Sequence, residues 1–69
     1  MKVYFVHRKI KDGDGLHTPG TVANGTLFAS PVDADELKEN LKKRDRVLKE
    51  AGFGGPEYTY KLGGATLPN

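Results

Sequence analysis

Residues 30–53, SPVDADELKENLKKRDRVLKEAGF, spell out one helix of about five turns, with its start, stop, charge gradient and apolar stripe assignable to particular side chains. Ser30 followed by Pro31 is an N-cap with proline at the first helical position, where the missing N–H costs nothing. Asp33 with Glu36 three residues later gives a second reading, a capping box that starts the helix a turn further on. At the far end Gly52 stands where a left-handed residue is wanted, and Phe53 is expected over Leu48 as in a Schellman ending. Ala34, Leu37, Leu41, Leu48 and Ala51 fall on one stripe. Arg44 alone breaks it, and is expected to lay its stem along the core edge with its guanidinium in water. A partner or anion contact is the alternative for that residue. Asp33, Asp35 and Glu36 sit early and Lys42, Lys43, Arg44, Arg46 and Lys49 late, as the helix dipole favours. Glu39 with Lys43 and Asp45 with Lys49 are spaced as i,i+4 pairs.

A chain of 69 residues forms a single small domain, which must bury most of its large apolar side chains to be stable. Self-association would widen that narrow margin. No cysteine is present, so neither disulfides nor a thiolate metal site supplies stability. The apolar run in MKVYFVHRKIK is too short for a signal peptide and no stretch reaches the length of a membrane span, so no membrane partner is expected and a cytoplasmic location is. The net charge of +2 is modest. Its distribution is more telling: Lys2, Arg8, Lys9 and Lys11 fall in the first eleven residues without an acidic residue among them, whereas acidic and basic residues balance along the helix.

Outward from the helix, Lys2–Ile10 is dense in β-branched and aromatic residues, with Val3, Phe5 and His7 on one face and Tyr4, Val6, Arg8 and Ile10 on the other. Its first half is apolar on both faces, which predicts an interior strand emerging into solvent at Arg8–Lys11. Asp12-Gly13-Asp14-Gly15 turns the chain, and Asn24-Gly25 between Val22 and Leu27 signals a two-residue hairpin. Pro19-Gly20 interrupts the stretch between, giving an edge strand or a mobile loop over Asp12–Thr21. Residues 26–29 read as the returning strand, and 57–62 as a last strand after Gly54-Gly55-Pro56, with Tyr58, Tyr60 and Leu62 toward the helix and Glu57, Thr59 and Lys61 toward water. A flexible tail is expected over 63–69. The fold class is α+β: a small antiparallel sheet of three or four strands, in β-β(-β)-α-β order, with a single helix packed on one face, forming one domain over residues 1–62.

No motif carries a chemistry of its own. A calcium loop starting at Asp12 lacks an oxygen ligand at Leu16 and a bidentate glutamate at Ala23, so the turn reading stands. The glycines at 13, 15, 20 and 25 match neither a Walker loop nor a dinucleotide fingerprint. His7 and His17 are the only histidines, which leaves a metal centre short of ligands, and the one serine, Ser30, is explained as a cap. No cofactor, no metal and no catalytic residue are expected. Tyr4, Phe5, Phe28, Tyr58 and Tyr60 can be read as a base-stacking platform, but covering the helix face of the sheet requires most of them.

The remaining signal is cationic. Arg8, Lys9 and Lys11 at the strand end, His17 in the Gly-rich loop, and Lys42, Lys43, Arg44 and Arg46 on the basic half of the helix form the candidate partner- or anion-binding set. The favoured function is a stoichiometric protein-binding module or inhibitor, which needs only a complementary patch or a strand edge. The alternative is a nucleic-acid or nucleotide-phosphate binder using the strand end, the Gly-rich loop and the basic half of the helix. The strand, hairpin, helix, strand layout is similar in outline to small phage-encoded proteins that bind and redirect host enzymes. That resemblance is one of layout and size, covers no specific motif, and carries over no functional residue.

Overall fold

The computed structural model describes residues 1–11 and 20–68. The Asp12–Gly15 turn, His17 and the interruption at Pro19 lie outside them. Strand β1 spans Lys2–Ile10, β2 is the two residues Thr21–Val22, helix α1 spans Pro31–Glu50, and β3 spans Tyr58–Thr66. The sheet order is β2-β1-β3, antiparallel throughout, so the strand that is apolar on both faces takes the centre.

β1 and β3 pair without a break from Lys2↔Thr66 to Ile10↔Tyr58. The register puts Tyr4, Val6, Arg8 and Ile10 on the same face as Tyr58, Tyr60 and Leu62, and that face carries α1. The tail expected from Gly63 is therefore strand for four further residues. Gly63 lies under the Phe5 ring, which substitutes for the side chain that the strand lacks there.

The Asn-Gly signal gives the expected backbone in an unexpected role. Asn24 and Gly25 both have positive φ, of 57° and 64°, and the Thr26 N–H reaches the Ala23 carbonyl at 3.4 Å. The flanks do not pair with each other, however. Val22 pairs with His7, while Tyr4 and Phe28 exchange two 2.7 Å backbone hydrogen bonds, so both flanks run along the same edge of β1. The turn is a looped-out bulge, and the returning strand over 26–29 reduces to that single bridge. Burial explains the choice, because the looped segment places Ala23, 1% exposed, against Val6 and Leu41.

The α1 start is settled in favour of Ser30, whose Oγ accepts from the Val32 N–H at 3.2 Å, with Pro31 at the first helical position. Ala34 and Leu41 are buried and Leu37 is packed against the same cluster. Farther along, the stripe leaves the sheet: Leu48 is 42% and Val47 54% exposed, and Ala51 is exposed as well. Among the described residues the buried hydrophobic side chains are Val3, Val6, Ala23, Ala34 and Leu41.

Candidate binding groove

Where the helix stripe parts from the sheet, the chain closes a groove rather than a core. Gly52, at φ 87°, reverses the chain; its N–H donates to the Lys49 carbonyl at 3.1 Å and that of Phe53 to the Leu48 carbonyl at 3.0 Å. These are the two hydrogen bonds of a Schellman ending. The ending aims Gly54-Gly55-Pro56 back toward the sheet, and leaves Phe53 68% exposed. Glu57 then joins the end of β1, its carbonyl accepting from the Lys11 N–H at 2.8 Å.

The Glu57 carboxylate clasps two elements. Lys49 of the helix donates to one oxygen at 2.6 Å, and the Lys11 ammonium lies 3.5 Å from the other. The hydrogen bond and charge of Lys49, followed by the charge of Lys11, hold the Glu57 carboxyl below the usual carboxylate range; Glu57 in turn holds Lys49 above the usual amine range. All three groups are exposed, so the clasp orients the loop more than it stabilises the fold. Lys49 is thereby diverted from the i,i+4 pair expected with Asp45. Asp45 instead accepts from the Tyr60 hydroxyl and lies 4.0 Å from the Arg44 Nε. Burial first, then this hydrogen bond and the Asp45 charge, push the Tyr60 hydroxyl up to about 12.

Between these anchors lies a groove of about 770 Å³. Tyr58 lines it with Arg8 stacked on the ring, the guanidinium carbon 4.7 Å from the centroid. Among the described residues, Leu48, Phe53 and Pro56 add apolar surface, and Lys11, Arg44, Arg46 and Lys49 add positive charge against Asp45 and Glu57. The opening is thus amphipathic and cationic.

Of the residues singled out from sequence, Arg8, Lys11, Arg44 and Arg46 line this groove although they come from two separate elements, the end of β1 and the second half of α1. Arg44 has a side chain 57% exposed, so its stem covers little of the core. Lys9 alternates to the opposite sheet face, Lys42 and Lys43 are exposed on the helix away from the groove, and His17 is outside the described residues. Sequence reasoning missed Leu48, Phe53 and Tyr58 as site residues because each had a structural role to fill: stripe, cap contact and sheet packing. The signal available was the Gly54-Gly55-Pro56 run, which holds Phe53 away from a regular element.

Among the described residues, no group of three or more His, Asp or Glu side chains is placed to hold a metal ion, and no helix is long and apolar enough to cross a membrane. His7 is half-buried with its imidazole against Gly20. No family model, no curated protein and no solved structure matches the chain.

Proposed function

We propose that this protein is a non-catalytic binding module that captures an acidic segment of a protein partner, bearing an apolar anchor, in the groove between the end of α1 and the Tyr58 end of β3. The carrying observation is the pairing of exposed Leu48 and Phe53 with Arg8, Lys11, Arg44 and Arg46 around one opening. An apolar centre with a charged rim is the anatomy of a protein interface. One feature weighs against a nucleic-acid ligand. Tyr4, Phe5, Phe28, Tyr58 and Tyr60 are all half-buried, and Phe5 lies on the face opposite the others, so no row of open rings is offered to successive bases.

The test is capture from a lysate of the native host, with nuclease treatment in parallel and at two salt concentrations. A protein partner is expected that survives nuclease and weakens less between about 0.05 and 0.2 M salt than a ligand bound through many phosphates, which loses about a thousandfold or more. Phe53→Ser and the double variant Arg8→Ser, Lys11→Ser should lose it with an unchanged far-UV spectrum, while Lys9→Ser, Lys42→Ser and Lys43→Ser keep it. Capture that is nuclease-sensitive and steeply salt-dependent would replace this reading with the nucleic-acid one.

A further inference from the structure

The outer edge of β3 has no partner among the described residues, and its backbone is arranged to take one. Glu57 and Leu67 direct their hydrogen-bonding groups at β1, through Lys11 N–H to Glu57 O at 2.8 Å and Leu67 N–H to Met1 O at 2.7 Å. In an unbroken antiparallel ladder the residues of that parity all face β1. The alternate ones, Tyr58, Tyr60, Leu62, Gly64 and Thr66, therefore point their N–H and C=O groups away from the sheet.

Exposed edges are normally blunted by shortness, bulges, proline or charge. The β2 edge is, since among the described residues it comprises two strand residues, a looped-out turn and one bridge. β3 is not: nine residues long, it carries no proline, no bulge against β1, and one charged side chain, Lys61.

We infer that β3 pairs antiparallel with β3 of a second copy about a two-fold axis at Leu62, joining two three-stranded sheets into one of six. The second copy is the occupant because the strand is self-complementary in this register. Leu62 meets Leu62, Tyr60 meets Gly64, Tyr58 meets Thr66, and Lys61 meets Gly63 rather than another lysine. All five outward residues form hydrogen-bonded pairs, about ten backbone bonds at two per pair. The register also repeats across the axis a device already used inside the monomer, where the Phe5 ring covers Gly63, since the Tyr60 ring lies opposite Gly64. Leu62, 39% exposed in one copy, is covered by its symmetry mate, and both helices lie on the same face of the joined sheet. This pairing does not depend on what the groove binds.

The decisive experiment combines sedimentation with residue-resolved amide exchange. The wild-type mass should rise from 7.5 kDa toward twice that value as chain concentration increases through about 0.01–1 mM. Exchange at Tyr58, Tyr60, Leu62, Gly64 and Thr66 should slow about tenfold or more over the same range, with Thr59 and Lys61 unchanged. Leu62→Lys and Leu62→Glu should each be monomeric alone, by like-charge opposition at the axis, and should form a dimer when mixed one to one. A wild-type chain that stays monomeric overturns the proposal. So does a dimer that survives both variants, or protection of the five amides only when a foreign protein is added to a monomeric chain. If either variant fails to fold by far-UV circular dichroism, the wild-type exchange pattern decides alone.

Discussion

Gly63 and Gly64 are adjacent and chemically identical, yet the structure gives their replacement by alanine opposite signs. A Cβ built on Gly63 lies 2.5 and 2.6 Å from two carbons of the Phe5 ring and 3.2 Å from a third, about 1 Å closer than ordinary contact. The ring must swing off the strand, an overpacking cost of about 1–3 kcal/mol. Reduced freedom of the unfolded chain returns about 0.4–1 kcal/mol. The net expectation for Gly63→Ala is a loss of about 1–2 kcal/mol, a fall in Tm of roughly 4–16 °C for a domain of this size. A Cβ on Gly64 meets Tyr4 and a backbone oxygen no closer than 3.6 Å, so only the entropic gain remains. Gly64→Ala should raise Tm by about 2–8 °C. The assay is thermal and urea unfolding followed by circular dichroism, at the lowest workable concentration so that self-association does not enter. The double variant Phe5→Leu, Gly63→Ala should recover part of the loss, with a coupling energy of about 0.5 kcal/mol or more. A Gly63→Ala protein as stable as wild type, or equal shifts for the two glycines, would falsify the placement of Phe5 over Gly63 and return residues 63–66 to the status of a tail.

Three further outcomes are expected. The Tyr60 hydroxyl is raised from 10.0 to about 12, so between these values the unfolded chain gives up a proton that the folded one keeps. Its contribution is whole below pH 10 and is lost as the pH rises toward 12, on the order of 1–2 kcal/mol after allowance for the part of the ring in water. Absorbance titration should show one of the three tyrosines ionising near 12, and Tyr60→Phe should flatten the stability profile across that window; a profile with unchanged slope in the variant would remove the Tyr60–Asp45 link. Gly52→Ala places a side chain at φ 87° and should cost about 1 kcal/mol with weakened partner capture. Gly54→Ala, with no atom within 4 Å of the added Cβ and no positive φ, should leave stability within about 0.5 kcal/mol of wild type.

The elements that could be read directly from the chain are those whose causes are local. Ser30-Pro31, the stripe from Ala34 to Leu41, and Ala51-Gly52-Phe53 act within a few residues of one another, and α1 begins and ends where they indicate. The same holds for Lys2–Ile10, whose apolar character on both faces placed it at the sheet centre. Asn24-Gly25 shows the limit of local reasoning. Its positive φ angles follow from residue chemistry, but whether the flanks pair with each other or with a third strand depends on Tyr4 and His7, some twenty residues away.

The groove lies wholly on the nonlocal side of that division. Arg8 and Lys11 were legible as a basic cluster, and Arg44 and Arg46 as another; their convergence was not, because it follows from the β1–β3 register and from the packing of α1 on the sheet. Residues 63–66 are the same case, since Gly63 and Gly64 have weak strand preference and become strand only because β1 presents a ladder and Phe5 a ring. Sequence by itself determined the α+β class, the helix with its caps and the central strand, because propensity, capping and periodicity act over one or two turns. Only the tertiary structure decided where the apolar stripe stays buried and where it opens into a cationic groove, because burial belongs to the space between elements rather than to any residue alone.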